Sequence, residues 1–246
     1  MRRLVAALAC RSEGSRLYGK PMQNLDVAAG VTILDHIVDA LGTVDCIDEV
    51  VLGVSEGAAN AAYVEFAEGR GMKSIRGDRD DVLMRLIQCG EAGGATDVFR
   101  ITSESPYCHY EAVAEAWERH LAHGNDVTTI DPLPDGCHFE IYTLETLRRS
   151  HELGDATHRS EACNRYVREH RDDFRVEVLD VPPALARNDL RLTVDNPEDL
   201  ILCRAVYAEL KVHAPRIPLA AIVDFLDRSP ELRARTERFV SRKRIW

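Results

Sequence analysis

The chain has 246 residues, 45% of them hydrophobic, with 41 acidic residues against 31 basic ones and a formal net charge of −10. That length buries one large core, so a single α/β domain, alone or with an appendage, is expected. The negative balance disfavours a nucleic-acid backbone as partner, since that needs a basic face, and no stretch approaches the ~20 apolar residues of a membrane-spanning helix.

In chain order, "MRRLVAALACRSEG" opens with two arginines and a short apolar run. The run is too short for a signal core and no small-residue cleavage site follows, so it reads as a buried strand over residues 4–9, in a cytoplasmic protein. The periodicity predicts a helix over 32–41, a strand over 49–54, an alanine-rich helix over 57–68 and a short strand near 72–75. "RGDRDD" (76–81) supplies acids to cap a helix over 82–92. A strand over 97–102, a helix over 111–120 and a strand over 126–130 follow. Such alternation is the signature of parallel-sheet α/β architecture.

The second half is less regular. "DPLPDG" (131–136) reads as a loop and "HFEIYT" (138–143) as an alternating strand. Helices are predicted over 144–151 and 161–169, and strands over 174–180 and 190–194. Pro197 suits the first turn of a helix running to about Leu210, with Asn196 as its cap. Two terminal helices, 217–227 and 230–240, would form a helical extension (213–246) packed on a main domain spanning 1–212. The basic cluster in "SRKRIW" reads as a solvated helix end.

The seven cysteines (10, 46, 89, 108, 137, 163 and 203) are odd in number, scattered, and without a C-x-x-C pair. Free thiols in a reducing cytosol are therefore expected, with neither a disulfide framework nor a thiolate metal site. His120 and His123 are three apart, but no third metal ligand follows at a suitable spacing, so they read as solvent-facing residues at a helix end. Cys108-His109 has no evident orienting partner for nucleophilic chemistry.

The loop after the first strand carries the main chemical signal. "GSRLYGK" (14–20) has two glycines five apart and then a lysine, as in a P-loop. A P-loop needs a Ser or Thr hydroxyl next, and Pro21 stands there instead. What remains is Arg11, Ser12, Ser15, Arg16 and Lys20 just past a parallel strand, where open α/β sheets bind ligands. Spacing alone leaves a triphosphate grip and a solvated basic loop both open.

The pattern R-S-x-G-S-R-L-x-G-K-P after a short strand resembles the nucleotide loop of the CMP-sugar-acid synthetases. It is most similar to the cytidylyltransferases related to spore-coat polysaccharide biosynthesis protein F. "RGDRDDVLMR" (76–85), "FRITSESPY" (99–107), "LPDGCHFEIYTLETL" (133–147), "SEACNRYV" (160–167), "LRLTVDNPEDL" (190–200) and "IVDFLDRSPEL" (222–232) also resemble segments of that family, in the right order.

The resemblance implies a nucleotide-diphosphosugar-transferase fold: a mixed, mostly parallel sheet sandwiched by helices and similar to the GT-A glycosyltransferases. It implies transfer of CMP from CTP to a small anionic acceptor, a sugar acid or a phosphonate or phosphate monoester, with release of pyrophosphate. Arg11, Arg16 and Lys20 would act on the triphosphate. Ala9, Ser12, Gly14 and Ser15, with Arg76, Gly77 and Asp81, would complete the nucleotide site, although Asp80 or Asp81 also suits a helix cap. His138, Glu140, Glu161 and Arg165 would face the acceptor. Glu104 and Asp195 would hold Mg2+, although Asp195 beside Asn196-Pro197 also suits a contribution to a helix cap. A cytoplasmic homodimer is expected.

Two positions depart from the family pattern. Glu104 stands where the family has Asp, and "SEACN" (160–164) replaces R-E-H-V-T. The second change removes an arginine and a histidine on the acceptor side. Two other readings stay open: a glycosyltransferase using a nucleotide sugar, and a nucleotide-binding protein that has lost catalysis. "DRD" (78–80) mimics the D-x-D metal motif of such glycosyltransferases, but no strand feeds it directly.

Overall fold

The computed structural model describes residues 2–14, 16–241 and 245–246. The candidate Ser15 and most of the basic cluster, Arg242 to Arg244, therefore lie outside the described residues.

The strands are β1 (Leu4–Cys10), β2 (Asn24–Asp26), β3 (Val31–Thr32), β4 (Glu49–Ser55), β5 (Lys73–Gly77), β6 (Asp97–Arg100), β7 (Val127–Ile130), β8 (Glu140–Thr143) and β9 (Val176–Leu179). The helices are α1 (Ile33–Leu41), α2 (Ala61–Gly69), α3 (Val82–Ala92), α4 (Val113–His123), α5 (Leu144–Leu153), α6 (Ala156–Arg159), α7 (Arg165–Glu169), α8 (Pro197–Leu210), α9 (Leu219–Asp227) and α10 (Pro230–Thr236).

Seven strands form one sheet in the order β5-β4-β1-β6-β8-β7-β9, and β2 pairs with β3 in a separate hairpin. β1 runs parallel to both β4 and β6, and β5 parallel to β4. β8 is antiparallel to β6 and β7, while β9 is parallel to β7. The mixed, mostly parallel sheet with helices around it is the architecture the sequence predicts.

β1 is apolar throughout because both of its faces are covered. Leu4, Ala6, Leu8 and Cys10 enter one core cluster, with α1, α8 and α9. Val5 and Ala7 enter the other, with α3 and α5. The two-residue period of a strand divides its side chains in this way. Asp81 caps α3 as expected, its Oδ1 accepting from Met84 N at 2.8 Å. Thr32 caps α1 and accepts from Asp35 N at 3.0 Å.

Three expectations need correction. Residues 190–194 are extended but contribute only an isolated bridge, Arg191 to Asp135. Their backbone groups bond to loops: Leu192 N to Asp135 O at 2.7 Å and Val194 N to Glu104 O at 3.0 Å. The predicted helix over 161–169 is reduced to the short α7, with α6 preceding it. His120 is fully buried and not solvent-facing. It shares the inward stripe of α4 with Val113 and Ala116, and its ring nitrogens meet Asp97 Oδ1 at 3.1 Å and Thr128 Oγ1 at 2.9 Å.

All seven cysteines are free, and all but the half-buried Cys46 are buried. Among the described residues no helix is long and apolar enough to cross a membrane.

Candidate active site

Successive crossovers carry the chain from β1 outward to β4 and β5, then back across the sheet to β6. The order therefore reverses between β1 and β6, and a crevice opens at such a point beyond the strand ends. A cavity of about 450 Å3 lies there. Ala9 lines it from β1 and Arg11 from just beyond that strand, and Arg100 to Ser105 from β6 and its exit. The remaining lining comes mainly from the loop after β1, from 135–140 and from 191–195.

The loop after β1 is closed by its own backbone, with Gly19 N donating to Ser12 O at 2.7 Å. Ser12 is buried and does not line the cavity. Its N–H bonds Asn60 Oδ1 at 2.7 Å and its hydroxyl bonds Ala59 O at 2.8 Å, which anchors the loop. A Cβ on Gly14 would lie 2.5 Å from Leu17 O, so only glycine permits this turn. The loop thus presents Arg11, Arg16 and Lys20 to the cavity.

Lys20 links the two predicted metal carboxylates. Its Nζ lies 2.7 Å from Asp195 Oδ1 and 3.8 Å from Glu104 Oε1. Arg16 reaches Asp195 Oδ1 at 3.7 Å. Burial pushes the Glu104 carboxyl up; Lys20 pulls it down and Asp195 pushes it up again, leaving it above its ordinary value. Burial also pushes Asp195 up, but the bonds and charges of Lys20 and Arg191 outweigh it and hold this carboxyl below its ordinary value. Two neighbouring carboxyls are thereby driven apart in acidity.

Arg191, which the sequence reading did not select, organises this side. It is buried and pairs with Asp135, Asp195 and Asp199. Asp199 Oδ2 also accepts from the backbone N–H of Asp195 and Asn196 at 3.0 and 2.8 Å. One buried carboxylate therefore caps α8 and sets Asp195. Both residues stand inside the segment "LRLTVDNPEDL", so their signal was present.

Gly136 closes the cavity nearby at φ +92°, and a Cβ there would lie 2.7 Å from Thr193 N. On the β8 side, Glu140 Oε2 accepts from Arg100 at 2.7 Å. Glu140 Oε1 accepts from Asn164 at 2.7 Å and from the Trp246 indole at 2.9 Å. Burial raises the Glu140 carboxyl, but Arg100 and these donors bring it below its ordinary value. His138 lines the same side, its Nε2 3.4 Å from Asp131 Oδ1. Glu161 also lines the cavity and pairs with Arg11.

The other candidates lie outside the cavity lining. Arg76 is exposed at the end of β5, and Gly77 pairs with Ser55. Asp81 caps α3 and meets His151 Nε2 at 2.7 Å. Arg165 is exposed and bonds Glu169 at 2.6 Å. Contrary to expectation a strand does feed "DRD" directly, since β5 ends at Gly77. Asp78 accepts from the N–H groups of Asp80 and Asp81, so the segment forms a turn before α3 and stands outside the cavity lining. Arg85, also unselected, is buried against the cavity and bonds the carbonyls of Cys10 and Gly53 at 3.1 and 2.9 Å.

No family model matches the chain. The chain is 26% identical over 243 residues to the spore coat polysaccharide biosynthesis protein SpsF of Bacillus subtilis, covering 97% of this chain and 99% of that one. Its fold matches a cytidylyltransferase from Leptospira borgpetersenii with a TM-score of 0.84 at 18% identity, over 94% of this chain and 97% of the other. It also matches a CMP:2-keto-3-deoxy-manno-octonic acid synthetase complexed with CTP, with a TM-score of 0.64 at 14% identity, over 84% and 99% of the two chains. The relationship to SpsF along nearly the whole of both chains, together with the shared architecture, bears out the resemblance to the cytidylyltransferase family related to spore-coat polysaccharide biosynthesis protein F.

Proposed function

We propose that the protein is a cytidylyltransferase that transfers CMP from CTP to a small anionic acceptor, a sugar acid or a phosphonate or phosphate monoester. The observation that carries this reading is Lys20 held between Glu104 and Asp195, in a cavity at the sheet's reversal point. A similar fold that binds CTP in the synthetase complex supports the choice of nucleotide.

In this reaction an acceptor oxygen bonds to the α-phosphorus, the bond from that phosphorus to the bridging oxygen breaks, and pyrophosphate leaves. Such a displacement depends mainly on positioning and charge neutralisation. Arg11 and Arg16 are forked donors for phosphate oxygens, and Lys20 is a point charge. The loop that carries them is anchored through Ser12.

Glu104 and Asp195 fit a divalent cation. They are hard oxygen donors, and the ammonium lying between them shows that the pair accommodates positive charge. Mg2+ is commonly bound by one or two carboxylates plus substrate phosphates, and would offset charge on the departing pyrophosphate. On the acceptor side His138, Glu140 and Glu161 are at the cavity wall. The cytoplasmic setting, the homodimer and the boundary near residue 212 belong to the same proposal, and the free thiols suit a reducing compartment.

The test is pyrophosphate release from CTP and Mg2+ with a panel of sugar acids and phosphate or phosphonate monoesters, alongside the shift in melting temperature with CTP. Release with at least one acceptor class is expected. Protection by a nucleotide sugar but not by CTP would favour a glycosyltransferase. No release together with no CTP-dependent shift overturns the proposal.

A further inference from the structure

Two buried carboxylates on the β8 side of the cavity turn toward the same short segment. The Trp246 indole donates to Glu140 Oε1 at 2.9 Å. The backbone N–H groups of Ile245 and Trp246 both donate to Asp131 Oδ2, at 3.1 and 3.0 Å. Three directional bonds thus fix a dipeptide that belongs to no helix or strand. The indole packs against the apolar cluster that includes Val82, Leu86 and Tyr142, and both residues line the cavity. Trp246 lies in none of the segments that carry the family resemblance, whereas Glu140 lies inside one.

We propose that Trp246 is a specificity-determining residue of the acceptor site: its ring walls the cavity beside Glu140 and limits the bulk of the acceptor, and its N–H orients the Glu140 carboxylate. The inference rests on the cytidylyltransferase reading and on Glu140 facing the acceptor. Trp246 and Glu140 both line the cavity of about 450 Å3, so the indole forms part of its wall on the side read as the acceptor's. A wall selects by size, and a buried carboxylate held in one orientation selects by hydrogen bonding, the stronger discriminator. Arg100 and Asn164 occupy Glu140 from other directions, so the indole completes its orientation.

The experiment compares wild type, Trp246→Ala and Trp246→Phe with CTP, Mg2+ and acceptors graded in bulk: D-glycerate, 2-keto-3-deoxy-manno-octonic acid, N-acetylneuraminate and glycerol phosphate. Trp246→Ala is expected to shift the ranking toward bulkier acceptors, with a roughly tenfold or greater change in relative kcat/KM and an unchanged KM for CTP. Trp246→Phe keeps a ring but lacks the N–H; it should raise the acceptor KM while preserving the size ranking. The chain has two tryptophans, so Trp117→Phe leaves Trp246 as the sole indole, and its emission should shift when an acceptor joins the CTP-bound protein.

An unchanged ranking in both variants, or an emission that no acceptor moves in a protein that CTP does stabilise, overturns the inference and leaves the nucleotide reading intact. A uniform gain for every acceptor also overturns it, since that marks an obstruction and not a selective wall. If CTP does not stabilise the wild-type protein, the nucleotide reading fails and this inference falls with it.

Discussion

Lys20 and Asp195 are separated by 175 positions, yet the Lys20 ammonium lies 2.7 Å from the Asp195 carboxylate. The loop after β1 and the turn before α8 are thereby joined at the point where the strand order reverses. The pair is partly solvent-accessible, so under the proposed function an incoming triphosphate would compete for the ammonium and a cation would take over the carboxylates.

Lys20→Ala is expected to lower kcat/KM for CTP by roughly a hundredfold or more, since a preorganised charge at the transferring phosphates is removed. Lys20→Arg should recover part of this, because the charge stays but its shape changes. Pyrophosphate-release kinetics measure both. An unaffected Lys20→Ala enzyme would show that the loop does not hold the triphosphate.

Glu104→Asp restores the residue usual in the resembled family. The shorter side chain withdraws the carboxylate by roughly 1.5 Å from the position in which Glu104 meets Lys20. A loss of turnover and a higher Mg2+ requirement are expected, seen in a metal titration of initial rates. A large gain in turnover would instead identify a decayed site.

Arg191→Met leaves Asp135, Asp195 and Asp199 facing one another without their shared buried cation. Uncompensated buried charge of this kind costs about 3–5 kcal/mol. Urea denaturation should show a loss of that order. CTP protection should weaken as well, because Asp195 loses one of the two groups that place it.

His36 is buried, edge-on to the rings of Tyr107 and Tyr207. Burial lowers its pKa from 6.5 to about 4, against a small opposing pull from Asp39. Between those values the unfolded chain binds a proton that the folded protein refuses, so stability rises with pH through the window and is lost as pH falls through it. The contribution is up to about 3 kcal/mol. His36→Phe should flatten this limb in denaturation experiments from pH 7 to 4. A limb as steep as in wild type would assign the acid loss to other groups.

Local chemistry was legible wherever neighbours in sequence are also neighbours in space. The all-apolar β1, the Asp81 cap and Pro197 opening α8 depend on contacts within one element. His120 shows where such reading fails. Its position in the last turn of α4 suggests solvent, but the inward stripe it shares with Val113 and Ala116 places it against Asp97 and Thr128. Residues 190–194 have a strand's composition, but only loops lie beside them, and composition cannot report what an extended segment will pair with.

By itself the sequence determined the strand–helix alternation, the failed P-loop at Pro21 and the presence of Arg11, Arg16, Lys20, Glu104 and Asp195 in recognisable motifs. The alternation and the failed P-loop follow from periodicity and turn chemistry, which act over a few residues; the five site residues were marked by the resemblance of their segments to the family. Only the tertiary structure decided that Lys20 stands between Glu104 and Asp195, that Arg191 and Asp199 set Asp195, and that Trp246 meets Glu140. Those relations join segments far apart in the chain, and the sheet order brings their ends to one crevice.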